Sequence, residues 1–324
     1  MHLSPGVLYE SNASNIPVSY FVSDEWPSAW QTPEDVSAER LKTAIAFGPT
    51  RWLYRALAKV LGTGCDFPRL RIHHGQFASE FLRKSVEAAA IPVECDRVVN
   101  WGVERDEYVC RRNWQTPARR FLFAGQISEH KGVHTGIAAF AVVAKALPEL
   151  KLELSLVGAV RDSDYEMRLK DIIERNEVSE KVHWLGKLGE RDLQRVYQSH
   201  DAFLFTSVWN EPFSISLVEA MTAGMVVVST VTGGTGEIVQ NEVNALTFEV
   251  DDVSGCARQM ERVACEQSLC GRLSQAAEAS TLNLTLTSMV TSIEQRLEDA
   301  IHSCRDFCSV GTGHTLSQLT SDAR

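Results

Sequence analysis

The sequence predicts an α/β protein built on a doubly wound parallel sheet, and three observations predict it. Short apolar runs alternate with longer amphipathic segments through the middle of the chain. Three of these runs stop at a Gly, and Pro148 ends a segment between them, residues that punctuate regular structure. The chain is also large and balanced enough to bury more than one core. It has 324 residues, 44% of them apolar and 23% charged, which suits one large or two ordinary soluble domains.

The elements follow in order. FLFA at 121–124 reads as a buried strand, and the loop GQISEHKG leads into a helix over 133–147 that Pro148 stops. LELSLV at 152–157 is the next strand, ended by Gly158, and 165–177 is an amphipathic helix. VHWL at 182–185 is a short strand before Gly186, with a helix over 190–199. AFLFT at 202–206 is a strand, and 212–223 a helix with Pro212 in its first turn. MVVVS at 225–229 is a strand followed by the turn TGGTGE. ALTFE at 245–249 is a weaker strand, and 253–269 a helix. Strands alternating with helices mean βαβ units, and right-handed crossovers between them give a parallel sheet with helices on both faces. Residues 116–284 are therefore expected to form one Rossmann-like lobe.

Residues 1–115 carry related but sparser signals. PVSYFV at 17–22 reads as a strand, 51–61 and 76–90 as helices, and 97–100 as a strand. These are too few units for a whole Rossmann-like lobe, so this lobe is expected to be incomplete, with its opening strands missing. Residues 285–301 form a last amphipathic helix, expected to pack back on the first lobe. Residues 302–324 are polar and aperiodic, the pattern of a disordered tail.

Bulk properties exclude several classes. The net charge of −10 argues against a nucleic-acid partner, because phosphate backbones attract basic surfaces. The eight cysteines are scattered and form no Cys-x-x-Cys pair, so they read as reduced thiols rather than a disulfide framework or a zinc site. No secretory signal opens the chain at MHLSPGVLYE, and no apolar run is long enough to span a bilayer. The expected setting is cytoplasmic, at most peripheral at the inner face of a membrane. Arg51, Arg55 and Lys59 share one helical face, which is either solvated or meets an anionic lipid or phosphorylated acceptor.

In open α/β sheets, ligands bind beyond the carboxyl ends of the strands. There the first strand of the 116–284 lobe offers Gly125, Gln126 and Lys131, the fourth offers Ser207 and Glu211 to Ser214, and the fifth offers Gly233 and Gly234. A helix N-terminus beside a lysine and Gly-rich backbone is a site for an anion. Glu211 and Glu219 suit sugar hydroxyls, which a carboxylate accepts as hydrogen bonds. On spacing alone they equally suit a helix-dipole partner and a solvated surface residue.

The segment EPFSISLVEAMTAGMVVVSTVTGGTGEIV, from Glu211 to Val239, resembles glycosyltransferase family 4, retaining and metal-independent enzymes of GT-B fold. That family carries E-P-F-G-x-x-x-x-E-A-M-A-x-G followed by G-G-x-x-E. FLFAGQISEHKGVHTGIAAF resembles its donor loop, NWGVE at 100–104 its lead-in to the second lobe, and PVSYFVSDEWP at 17–27 a strand of its first lobe. The resemblance implies a nucleoside-diphosphate sugar (UDP- or GDP-linked) as donor, no required cofactor or metal, and an unidentified acceptor, in glycan or polysaccharide synthesis. It implies that Lys131 holds the donor diphosphate. The backbone N–H groups of Phe213, Ser214 and Ile215 would cradle the distal phosphate. Glu211 would contact the transferred sugar, and Glu219 the ribose hydroxyls. Gly125 and Gln126 would border the donor, Gly233 and Gly234 would let the chain approach it, and Asp24 would stand near the reacting sugar.

Three departures stand out. Gln126 occupies the place of the family's usual Arg, and a neutral amide cannot offset diphosphate charge; the expected loss is about 10- to 100-fold in rate or affinity. Ser214 replaces a Gly, and Ser23 stands where many relatives carry a His. The family's Gly-rich first loop would precede residue 1, so a truncated first lobe, or one covered by a partner or a second copy, is expected. Two readings therefore compete, a retaining glycosyltransferase and a non-catalytic sugar-nucleotide-binding protein derived from one. A nicotinamide oxidoreductase fails for want of a G-x-G-x-x-G after a first strand.

Overall fold

The computed structural model describes residues 19–23, 72–110 and 112–312. The chain divides into two units, one of residues 1–99 with 290–324 and the other of residues 100–289. Asp24, Trp26, Arg51, Arg55, Lys59 and the helix expected over 51–61 lie outside the described residues.

The described part of the first unit holds a parallel sheet of order β1-β2-β3, formed by β1 (Ser19–Val22), β2 (Ile72–Phe77) and β3 (Val93–Val98). Helix α1 (Glu80–Ala88) joins β2 to β3. The helix expected from residue 76 thus begins later, and β2 takes Gln76 and Phe77. Ser79 sets the start: its backbone is extended and its Oγ accepts from Leu82 N at 3.2 Å, an N-cap arrangement that fixes where the first turn begins.

The second unit carries a six-stranded parallel sheet. Its strands are β4 (Arg120–Ala124), β5 (Glu153–Val157), β6 (Val182–Gly186), β7 (Ala202–Phe205), β8 (Val226–Ser229) and β9 (Leu246–Thr247). They lie in the order β6-β5-β4-β7-β8-β9. Counted within the unit this is 3-2-1-4-5-6, the doubly wound order, whose strand sequence reverses between β4 and β7. Short helix α2 (Arg105–Tyr108) leads in. Then come α3 (Val133–Ala146), α4 (Ser163–Arg175), α5 (Glu190–Ser199), α6 (Ile215–Thr222), α7 (Val253–Cys265), α8 (Gln267–Ser280) and α9 (Leu286–Thr312), which from Val290 onward groups with the first unit. β4, β7 and β8 are buried almost throughout, as strands covered on both faces must be. Helix α3 packs against α4 and α7, and α6 against α8. Between sheet and helices Phe121, Ile137, Phe140, Leu154, Leu204 and Val226 are buried, each contributing about 1.5–3 kcal/mol.

Several boundaries differ from the sequence pattern. Where one helix is expected over 253–269 there are two, because the extended backbone of Glu266 interrupts them. α9 runs to Thr312, past the expected end at 301. The second unit begins at residue 100 rather than 116, because α2 is tied to it: Arg105 donates to Glu278 Oε1 at 2.7 Å, and Gln194 to Glu107 Oε2 at 2.6 Å. No helix among the described residues is long and apolar enough to cross a membrane.

Candidate functional site

The reversal between β4 and β7 opens a crevice beyond their carboxyl ends, and three loops frame it. The first, after β4, passes Gly125 and Gln126 and tightens into a 3-10 turn over Glu129–Lys131. Gly132 closes that turn at φ +61 with no room for a side chain, since a Cβ would come within 1.9 Å of the Thr206 carbonyl oxygen. Only glycine permits both the left-handed backbone and that approach. Thr206 Oγ1 then donates to the Lys131 carbonyl at 2.8 Å, and Val208 N to that of His130 at 3.0 Å. Loop one is thereby fastened to the end of β7, and Lys131 reaches across the crevice.

It meets Glu211. Lys131 Nζ lies 2.5 Å from Glu211 Oε1, and Ser207 Oγ donates to the same oxygen at 2.6 Å. Among the described residues no hydrogen bond is made to Oε2. The Glu211 side chain is 7% exposed and that of Lys131 26%, so the carboxylate has given up most of its water and the ammonium has kept some. The third loop holds Glu211 from behind. Gly234 N donates to the Glu211 carbonyl at 2.7 Å, and Gly233, at φ +56, sits where a Cβ would be 2.3 Å from that same oxygen. The close approach of this glycine pair is thus to the protein's own backbone at Asn210–Glu211.

Helix α6 starts at Ile215, not at Pro212. Ser214 is its N-cap, with extended backbone and an Oγ that accepts from Leu217 N at 3.4 Å. Glu211 therefore comes from the loop before the helix, and the two glutamates do not share one helical face. Phe213 buries its ring. Among the described residues the backbone N–H groups of Phe213, Ser214 and Ile215 have no acceptor. Those of Ser214 and Ile215 are orphan donors of the kind every helix start presents, with that of Phe213 just ahead of them, and they are suited to an anion.

Glu219, in the second turn of α6, is held by neutral groups. Tyr108 Oη donates to Oε1 at 2.7 Å and Tyr197 Oη to Oε2 at 2.8 Å. Burial pushes its carboxyl above the ordinary value, while the two phenol hydrogen bonds pull the other way. Beside it lies a cleft of about 190 Å³ lined by Ala124, Gly125, Val157, Gly158, Lys187, Leu188, Leu193, Tyr197, Ser216 and Glu219. A smaller cavity, about 20 Å³, is lined by Lys131, Thr206 and Ser207 among others and shares Ala124, Gly125 and Ser216 with the first. The two run along the sheet edge from Lys131 toward Glu219.

Gln126 is half-buried at this edge, with no hydrogen bond on its carboxamide among the described residues. The neighbouring His130 is less readily protonated than an ordinary histidine. Burial, and after it the Lys131 ammonium, holds its imidazole below the ordinary value, with Glu211 pulling weakly upward. His134 is engaged elsewhere, its Nδ1 2.9 Å from Tyr165 Oη. Sequence reasoning missed Tyr108 and Tyr197, because they meet Glu219 from 111 and 22 residues away. Tyr108, four residues past the lead-in NWGVE at 100–104, was the one local sign.

A doubly wound sheet with a lysine, free helix-start amides and a cleft at its switch point defines an α/β domain with a place for an anion at that switch point. The chain belongs to the glycosyl transferases group 1 family, whose model matches residues 104–280, more than half of its length. It is 29% identical over 157 residues to mannosylfructose-phosphate synthase from Agrobacterium fabrum, covering 48% of this chain and 34% of that protein. It is 28% identical over 182 residues to glycogen synthase from Mycobacterium tuberculosis, covering 56% of this chain and 42% of that one. The chain thus spans about a third to two-fifths of the length of these curated relatives. Among solved structures, HepE from Anabaena in complex with UDP and glucose has a TM-score of 0.70 at 20% identity, covering 91% of this chain and 76% of that one. The fold is of GT-B type.

Proposed function

We propose that this chain is a retaining glycosyltransferase that moves a sugar from a nucleoside-diphosphate sugar to an acceptor, by the metal-independent chemistry of glycosyltransferase family 4. The observation that carries the reading is the row of groups along one sheet edge. Lys131 and Glu211 meet at one end, the free N–H groups of Phe213, Ser214 and Ile215 follow, and Glu219 stands at a cleft at the other. Such a row matches a donor laid end to end. Lys131 and the helix-start amides take the diphosphate, and the cleft beside Glu219 takes the nucleoside. A diphosphate competes with Glu211 for Lys131, and a released Glu211 accepts hydrogen bonds from the sugar's hydroxyls. Charge that builds on the departing diphosphate in an oxocarbenium-like transition state is stabilised by donors already in place. Asp24 is assigned near the reacting sugar by resemblance to family motifs alone.

The solved relative that binds UDP and glucose supports a UDP-linked donor, and a GDP-linked donor is the second choice. The test incubates the protein with a panel of UDP- and GDP-sugars and follows release of nucleoside diphosphate, beside a Glu211→Ala control. Release above the control for one donor is expected. Measurable binding with no turnover above the control for any donor would overturn the transferase reading and leave a non-catalytic binder.

A further inference from the structure

The grip on Glu219 is built more carefully than a packing contact requires. Each carboxylate oxygen receives one phenol, Tyr108 on Oε1 and Tyr197 on Oε2. The two donors come from different helices, α2 and α5, so the carboxylate cannot rotate without losing one of them. The rings brace each other edge to face, with centroids 5.7 Å apart at 68°, and Tyr197 leans on Phe203 at 5.9 Å. Tyr197 is fully buried and Tyr108 nearly so. α2 is itself anchored, through Arg105 to Glu278 and through Gln198 Nε2 to the Glu107 carbonyl at 3.1 Å. Burial and the nearby Glu219 charge raise both phenol pKa values, so both stay protonated donors.

A carboxylate has about four lone-pair sites. The phenols occupy one on each oxygen and leave each oxygen able to accept again, and Glu219 lines the cleft. Two acceptor oxygens on one fixed carboxylate are the complement of two neighbouring hydroxyls, as in the 2′,3′-diol of a ribose.

We propose that Tyr108 and Tyr197 are positioning residues that hold the Glu219 carboxylate in register with a ribose diol, so that the site selects ribonucleotides over 2′-deoxyribonucleotides. This rests on the reading above that the cleft beside Glu219 takes the donor's nucleoside. A carboxylate free to rotate still accepts one hydroxyl well. Only a fixed one rewards the second.

The experiment measures affinities for UDP and 2′-deoxy-UDP, and for GDP and 2′-deoxy-GDP. It compares the wild type with Tyr108→Phe, Tyr197→Phe and Glu219→Gln, with the melting temperature of each variant recorded. The wild type should prefer the ribonucleotide by about tenfold or more. Each Tyr→Phe change should shrink that preference several-fold toward the Glu219→Gln value. If both affinities or the melting temperature fall while the ratio holds, the tyrosines only support the fold and the proposal is overturned. Should Tyr197→Phe not fold, Tyr108→Phe still decides, since its ring is not wholly enclosed. A wild type that binds UDP or GDP without preferring ribose overturns the proposal and leaves the donor site standing. One that binds neither overturns the donor reading as well.

Discussion

The two glutamates around helix α6 are held in opposite ways. Glu211, on the loop before the helix, has a cation and a hydroxyl crowded on one oxygen, from Lys131 and Ser207. Glu219, inside the helix, has one neutral phenol on each oxygen. The difference bears on what an incoming anion can do. A diphosphate is a direct rival for an ammonium, so it can draw Lys131 off Glu211 and change that carboxylate's environment. It has no comparable pull on two buried phenols. One end of α6 is arranged to exchange partners and the other to keep them.

Removing the cation is the severest way to break the exchangeable end. Lys131→Ala should lower UDP affinity by about 10- to 100-fold, the worth of a charge-assisted phosphate contact. It also strands a Glu211 carboxylate that is 7% exposed. Breaking a pair from that side should cost about 1–3 kcal/mol, below the range for fully buried pairs because Lys131 is partly hydrated. Glu211→Gln should cost less, since a freed Lys131 can turn to water. A thermal melt that ranks Glu211→Gln as the more destabilised variant would refute this account of the pair.

The backing of Glu211 can be broken without touching a ligand. Gly233→Ala puts a Cβ against the Glu211 carbonyl and forces a non-glycine residue to φ +56, a strain of about 1–3 kcal/mol. Turnover should fall in step with Glu211→Ala, while UDP still raises the melting temperature. Gly236→Ala is the control, because its nearest neighbour is the exposed Val231 side chain at 3.3 Å rather than backbone; equal losses in both variants would mean the loop is merely fragile.

Much of the second unit was legible in the sequence, and the reasons it was legible explain what was not. β4, β7 and β8 are short apolar runs buried on both faces, a pattern few other structures produce. β2 hid because two of its buried residues, His74 and Gln76, are polar and break the apolar run between Ile72 and Phe77. The start of α6 was misplaced because two valid signals stand two residues apart, Pro212 for a first helical turn and Ser214 for a cap; the Oγ bond to Leu217 favours the serine. Glu211 and Lys131 could be chosen from loop position and family spacing. Tyr108 and Tyr197 could not, because their role exists only when α2 and α5 are folded against α6.

Gln126 offers a way to sharpen the exchangeable end. With the His130 imidazole pushed below its ordinary value by desolvation and then by Lys131, Lys131 is the only lysine or arginine in loop one, residues 125–132. Gln126→Arg should tighten UDP binding by about tenfold or more, measured by calorimetry at fixed ionic strength. An unchanged affinity would mean that the Gln126 position does not face the diphosphate.

The fixed end makes the smallest and most specific prediction, one of pH. Glu219 accepts a diol only as a carboxylate. Its pKa is raised by burial, with Glu190 on α5 adding to the rise and Tyr108 and Tyr197 opposing it. Acidification should therefore weaken nucleotide binding several-fold beginning above 4.5, the ordinary value for this group. The diphosphate also loses charge in this range, with a phosphate pKa of about 6, so the quantity to read is the difference between wild type and Glu219→Gln, which share that titration. Folding linkage runs the other way. A carboxyl whose folded pKa is raised holds its proton more tightly when folded, so it costs stability above that pKa and ceases to do so as pH falls toward the unfolded value. Relative to Glu219→Gln, the wild type should thus lose nucleotide affinity and gain melting temperature over the same acid interval. If the two differences move together, the Glu219 carboxylate is not both buried in the fold and the acceptor for the nucleotide.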